Sequence, residues 1–377
     1  MKRFFLLITI SVVTFSLSAQ RASRLDHSFH RPMDQALRIK FYGGYIPPLS
    51  YFGTIDHSVA LGGEFSYEFF TNNSRDWAVH WRQPVIGIAL QAMDLGNRNE
   101  LGQMVALFPY IRWDLARTKP FIFSMRLGMG VAGVTRLNHT NGSYFGFVGN
   151  ADIEFQFNLN NDDWLTIEPG LDIFSNCGFS STEFPAPLPY LAIGYMHRFT
   201  PYQYLTTNES LHPYTRPLPD HYAVNISADA GAMNDWTMVR VALHADYLTR
   251  ATNCWLTGVG LDGDYHKQLG NDTTTSISQR IRCGLSWSNR LTMNRFHFIA
   301  DFGLYLYDPE RPKEYFYRYN PIHDHSWNYF RLGAGVRVID NLYLQLVVHT
   351  NGFRAEYTSF GLSYSISRPS QSRITRK

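Results

Sequence analysis

Charge is scarce in this chain. Asp, Glu, Lys and Arg make up 17% of its 377 residues and nearly cancel to a formal +3, which excludes the strong cationic field on which nucleic-acid binding rests. Cysteine is scarcer still. Cys177, Cys254 and Cys283 are too few for a disulfide framework, form no C-x-x-C pair and offer no zinc spacing. Their odd number leaves at least one thiol unpaired within the chain. Long apolar runs are missing after the first. Phe4 to Leu17, behind Lys2-Arg3 and before Ser18-Ala19, reads as a signal peptide ending at Ala19. That run falls short of the roughly 20 apolar residues that span a bilayer. No later segment is long and apolar enough for a membrane helix, and no Cys follows the cleavage position to carry a lipid. Such a chain crosses a membrane as strands or not at all.

Aromatic residues, by contrast, reach 15%, while mean hydropathy is a slightly polar −0.23. Abundant Tyr and Phe without overall oiliness fit a barrel whose outward residues are apolar and whose inward ones are polar. Period-2 alternation runs through most of the chain. Ala151, Ile153, Phe155 and Phe157 interleave with Asn150, Asp152, Glu154, Gln156 and Asn158. Phe121, Phe123, Met125, Leu127, Met129 and Val131 form a second such row, and Phe298, Ala300, Phe302, Leu304 and Leu306 a third.

Strands are expected near 36–46, 57–69, 84–93, 101–114, 119–134, 143–158, 163–175 and 188–199 in the first half. In the second they are expected near 219–232, 237–247, 253–265, 275–287, 293–307, 325–337, 341–350 and 355–367. Asn160-Asn161-Asp162-Asp163, Asn138 to Gly142 and Asp340-Asn341 supply the turn chemistry between them. A proline-bearing connection, 200–218, divides an eight-strand repeat over 20–199 from another over 219–377. The expectation is an all-β outer-membrane antiparallel β-barrel of about sixteen strands. One sixteen-strand barrel and two tandem eight-strand barrels both fit, and the single barrel is preferred because it leaves no exposed sheet edge. With termini in the periplasm, odd strands run outward.

The end of the seventh strand reads Ile167-Glu168-Pro169-Gly170-Leu171-Asp172-Ile173-Phe174-Ser175-Asn176-Cys177-Gly178, and the eighth closes with Ile193-Gly194-Tyr195-Met196-His197-Arg198-Phe199. With Leu95-Gly96-Asn97 through Gly102, Arg126 to Gly130, Arg331 to Gly335 and Asn341-Leu342-Tyr343, these segments resemble the outer-membrane lipid A deacylases of the PagL type, the bacterial acyloxyacyl hydrolases. The resemblance implies a His-x-Ser-Asn run in which His is the base and Ser the nucleophile, with an acidic residue in the next strand orienting the His. It also implies metal-independent, cofactor-free hydrolysis of an ester-linked acyl chain of lipopolysaccharide. Lipid A in the outer leaflet would be the partner, without nucleic acid. By that resemblance Ser175 takes the nucleophile position and Asn176 the oxyanion-assisting one.

The base position departs from the motif. Residues i and i+2 of a strand share a face, and the residue two before Ser175 is Ile173, which takes no proton. A serine without an adjacent base is a weak nucleophile. Counting to the acidic partner reaches Ala186-Pro187, with Glu183 offset. His197 lies at the far end of the eighth strand. His349-Thr350 offers its two groups to opposite faces, with Val348 in the facing position. The competing expectation is a barrel that binds lipid A without cleaving it, or a structural or transport barrel. His323-Asp324-His325 is too sparse for a metal site. Arg126, Asp152, Glu154, Glu168 and Asp301 are expected to pair inside a filled lumen, while Tyr315 to Tyr319 and Trp327 to Phe330 suggest an interfacial aromatic girdle.

Overall fold

Alternation of apolar and polar side chains fixes two faces on every strand, and a computed structural model shows where each face goes. The structure describes residues 34–46, 58–71, 77–78, 81–99, 101–136, 143–177, 186–199, 221–233, 238–252, 254–268, 276–309, 326–352 and 354–369. The segment read as a signal peptide, the connection 200–218, Asn138 to Gly142, Glu183, Tyr315 to Tyr319 and His323-Asp324-His325 lie outside them. The first eight strands are β1 (Asp34–Ile46), β2 (Ser58–Phe70), β3 (Val85–Asp94), β4 (Gln103–Arg117), β5 (Phe121–Val134), β6 (Phe145–Asn158), β7 (Asp163–Ser175) and β8 (Ala186–Arg198). The second eight are β9 (His221–Met233), β10 (Met238–Arg250), β11 (Trp255–Gln268), β12 (Ile281–Met293), β13 (Phe296–Tyr307), β14 (Asn328–Ile339), β15 (Leu342–Asn351) and β16 (Arg354–Pro369).

Strands adjacent in sequence within each half pair antiparallel in space, and the sheet closes twice. β1 pairs with β8, running from Ala36 opposite Arg198 to Gly44 opposite Tyr190. β16 pairs with β9, from Thr358 opposite Ala232 to Pro369 opposite His221. The expected two eight-strand repeats are therefore two closed barrels, and the preference for a single sixteen-strand barrel is corrected. Avoiding open edges does not distinguish the two solutions, because closing each repeat on itself satisfies every strand as fully as one large ring does.

A thirteen-residue strand such as β1 rises about 3.3 Å per residue and, tilted near 45°, crosses about 30 Å, the thickness of the hydrocarbon core. Outward positions are apolar and uncovered in both barrels, with Phe41, Leu61 and Ile193 in the first and Leu243, Leu261 and Phe360 in the second. In water such a belt would be an aggregation surface, whereas in lipid it is the required solvent face. At one end most connections are tight, 118–120, 159–162, 251–254, 294–295 and 340–341, with 71–84 the longer exception, and this end is assigned to the periplasmic side. Two show their chemistry plainly. The Asn160 side-chain oxygen accepts from the Asp162 and Asp163 backbone N–H groups at 2.9 Å, and Asn341 takes the left-handed conformation, φ 66°, tolerated by Asn. At the opposite end the connections 95–102, 135–144, 176–185, 269–280 and 308–327 are longer, while 234–237 and 352–353 are short.

Inward side chains fill the first barrel in layers. Near the periplasmic end Ala36, Ile122, Trp164 and Met196 make an apolar plug. Near the outer end Ile46, Met93, Met104, Val134 and Leu188 belong to a larger one. Between them lies an ionic layer of fully buried charges. Arg38 contacts Glu68 at 2.9 Å, Glu154 at 2.7 Å and Glu168 at 3.1 Å, while Lys40 pairs with Glu168. Arg112 reaches Glu68 at 3.0 Å and Glu154 at 3.4 Å, and Arg126 holds Glu64 through two 2.8 Å bonds. Glycine makes room for the large lumen residues: a Cβ on Gly87 would overlap the Tyr110 ring, and one on Gly303 the Tyr329 ring.

Candidate functional site

The end of β7 carries the residues singled out in the sequence, and β7 begins and ends where expected. Leu165, Ile167, Leu171, Ile173 and Ser175 face outward, while Trp164, Thr166, Glu168 and Asp172 are buried in the lumen. Ser175 is half-buried at the outer end of the barrel, opposite Phe147 of β6. Its hydroxyl accepts from the Cys177 backbone N–H at 3.0 Å and donates to the Cys177 sulfur at 3.5 Å. That closes a tight turn with Cys177 in the left-handed region, φ 51°. Asn176 is buried.

The side chains beside Ser175 on the lipid face decide its chemistry. Ile173 is outward, and its cross-strand neighbours are Gly149 on β6 and Pro187 on β8. None of the three accepts or donates a proton. The position counted for an acidic partner is thus a proline opposite the missing base. His197 shares the outward face but sits at the periplasmic end. Its Nδ1 lies 2.8 Å from Asp163, and the two are cross-strand partners. The length of β7 separates that pair from Ser175.

The corresponding end in the second barrel departs from simple alternation. The register shifts at His349 and Thr350, which pair with Tyr357 and Ala355 and leave Glu356 of β16 between them, and both residues are buried. His349 lies in the lumen, stacked on Tyr357 with ring centroids 4.2 Å apart, and its Nε2 is 2.9 Å from the Ser359 hydroxyl. Thr350 is held by backbone: its hydroxyl accepts from Phe330 N–H at 2.9 Å and donates to the Gly352 carbonyl at 2.7 Å. Val348 is left on the outward face, opposite Thr358 of β16. In each barrel an aliphatic side chain, Ile173 or Val348, therefore stands where a base would have to stand.

The charged residues expected to pair inside the lumen do so. Asp301 accepts from Arg331 at 3.2 Å and from Arg290, which also binds Asp246 at 2.6 Å. His244 bridges Asp262 at 2.7 Å and Asp246 at 3.0 Å. Tyr329, placed by sequence in an interfacial girdle, instead points into the second lumen and donates to Asp262; Trp327 remains exposed. Asp152, Glu154 and Glu168 lie close enough together to hold a metal ion. The Lys40 ammonium already contacts all three and supplies the countercharge. Cys177, Cys254 and Cys283 form no disulfide.

One contact at this site joins the barrels. The Thr358 hydroxyl donates to the Cys177 carbonyl at 2.8 Å. Sequence spacing contains no signal for it, because 181 residues separate the partners.

Residues 221–368, the second barrel, match the family described as acyloxyacyl hydrolase, C-terminal domain, of the PagL type. The match takes in Arg331 to Gly335 and Asn341 to Tyr343 but not the Ile167 to Gly178 segment of the first barrel. No curated protein sequence matches the chain. Among solved structures, the TodX deltaS2S3 mutant, a monoaromatic hydrocarbon channel, aligns at 10% identity over 90% of this chain and 91% of that chain, with a TM-score of 0.18. The Pseudomonas putida toluene transporter TodX aligns at 7% identity over 90% of each chain, with a TM-score of 0.17. A mutant of Rh. blastica porin aligns at 6% identity over 88% of this chain and all of its own, with a TM-score of 0.18. Likeness at that level carries no argument about lumen or cargo. The apolar belts and the family domain place the protein in the bacterial outer membrane.

Proposed function

With residues 221–368 carrying a PagL-type acyloxyacyl hydrolase domain as the premise, we propose that this protein binds lipopolysaccharide through its outer-leaflet apolar belt and leaves the acyl esters of lipid A intact. One observation carries the reading. On the lipid-facing side of β7 the residue two before Ser175 is Ile173, flanked by Gly149 and Pro187, and none of these three can take the serine proton. Unassisted, a serine hydroxyl does not attack an ester at a useful rate near neutral pH. Asn176 alone, as an oxyanion donor, stabilises a transition state that the nucleophile seldom reaches. Barrel strands whose outward rows are Leu, Ile, Val and Phe remain well suited to the acyl chains themselves.

The test uses the full-length protein purified from outer membranes that contain lipopolysaccharide. Retained lipid A is quantified and its acyl composition read by mass spectrometry. Retention of lipid A with every ester-linked chain in place supports the reading. Loss of one acyl chain that Ser175→Ala prevents would make the protein a hydrolase with Ser175 as nucleophile. Absence of lipid A above the level carried by an unrelated eight-strand barrel would remove the binding claim.

A further inference from the structure

Outward positions of β16 alternate along the strand, and the rule they follow has one exception. Phe360, Leu362, Tyr364 and Ile366 are 49–63% exposed, as lipid-facing residues should be, yet Thr358 on the same face is 3% exposed. What covers it is the β7 end of the first barrel, where Asn176 and Cys177 are also buried and the Cys177 carbonyl accepts the Thr358 hydroxyl at 2.8 Å. A second contact lies at the periplasmic end. Trp81, in the β2–β3 connection, donates its indole N–H to the Thr292 carbonyl at 2.7 Å. It stacks on Trp113 of β4 with centroids 5.7 Å apart and meets the Phe298 ring edge-on at 6.4 Å. Trp81 is 7% exposed.

Apolar burial gains little between two barrels in lipid, because acyl chains are as apolar as leucine. Polar groups that find partners and close packing therefore set the geometry. Thr358 places a hydroxyl on a lipid-facing position, a costly choice unless the hydroxyl is bonded. Trp81 carries an indole N–H that has the same requirement. Each finds a backbone carbonyl on the other barrel, one at each end of the strands. Two contacts separated along the membrane normal fix both spacing and tilt, where a single one would act as a pivot. Both barrels also run their odd strands toward the outer side, so a shared bilayer orients them alike. Joined by one chain, the second barrel meets the first as an intramolecular neighbour, at the high effective concentration a tether provides.

We propose that the two barrels stay docked side by side in the membrane through these two contacts, and that the outer one, Thr358 on Cys177, keeps lipid from the Ser175 end of β7. The partner that fits this surface is the chain's own second barrel. Only the consequence for Ser175 rests on the functional reading above. Cross-linking reports the dock and lipid A masses report the chemistry, so the two can fail separately.

The experiment uses the full chain in outer membranes, with Cys254→Ser and Cys283→Ser to leave Cys177 as the sole thiol, and with a protease site inserted between residues 199 and 221. Thr358→Cys is added in one variant and Leu362→Cys, four residues along the same outward face, in another. After treatment with a short bis-maleimide and cleavage, the barrels of the Thr358→Cys variant should remain joined on a denaturing gel, and those of Leu362→Cys should separate. A second pair, Trp81→Cys with Phe298→Cys in a background that also carries Cys177→Ser, reads the periplasmic contact independently and should likewise stay joined. Separation in both the Thr358→Cys and the Trp81→Cys pairs, with thiols that react with a monofunctional maleimide, would overturn the dock. Equal joining of Leu362→Cys and Thr358→Cys would overturn its geometry.

Discussion

Arg126 is the place to test whether the first lumen is a packed core. The guanidinium is fully buried, binds both Glu64 oxygens at 2.8 Å, lies 3.6 Å from Asp152 and stacks over the Tyr110 ring at 4.0 Å. Arg126→Met keeps an apolar stem but removes the guanidinium, leaving Glu64 with Lys40, at 3.6 Å, and the Tyr42 hydroxyl. Stranding one partner of a buried ion pair costs about 3–5 kcal/mol. That corresponds to a drop in the folding equilibrium of roughly a hundredfold to a few thousandfold. Glu64→Gln removes the stranded charge while still accepting from Tyr42, so the double variant should be less damaged than the sum of the singles by about 1–3 kcal/mol. The assay is urea unfolding of the full chain in micelles, with the folded fraction read by heat-modifiable gel migration. A protease site between the barrels lets each be scored alone. The first barrel's midpoint should fall and the second barrel's should stay. An unchanged midpoint in Arg126→Met, or strictly additive effects in the double variant, would show that water fills this layer and screens the pair.

Three further predictions follow from the same packing. Gly303→Val puts a side chain into the Tyr329 ring, which is tied to Asp262, and should abolish the folded band of the second barrel alone; a normal band would place Tyr329 outside the lumen. In planar bilayers the protein should show no porin-sized conductance, since apolar plugs lie above and below the ionic layer of the first barrel; steady large channels would contradict that filling. Ile173→His should gain little or no acyl-ester hydrolysis, because its neighbour on β8 is Pro187 and no carboxylate orients the new ring. A large gain would show that the base was the sole missing part.

Strand rhythm was legible because lipid and a filled lumen impose opposite chemistry on alternate residues. β7 falls on its expected range, and most strand ends lie within a few residues of theirs. β12 shows where the signal misleads. It was expected over 275–287 and spans Ile281–Met293. Ile277 belongs to a 3-10 turn, Ile277–Arg280, and is left exposed. The polar Asn289-Arg290, beyond the expected end, continues the strand: Arg290 serves the lumen through Asp246, and Asn289 accepts from the Trp255 indole at 3.0 Å. Closure into two barrels was not legible, since pattern alone is satisfied by either ring. Nor was the burial of both His349 and Thr350, because nothing in the pattern marks Glu356 as the extra residue that β16 inserts opposite them. The poverty of the Ser175 site was legible in Ile173. The bond from Thr358 to the Cys177 carbonyl was not, as it depends on how two separately closed barrels meet.

The most direct test of the account is the lipid A mass spectrum of cells with and without overproduction of the inserted protein, run beside Ser175→Ala. The same acyl masses are expected in all three samples. Loss of one acyl mass on overproduction, restored by Ser175→Ala, would contradict it.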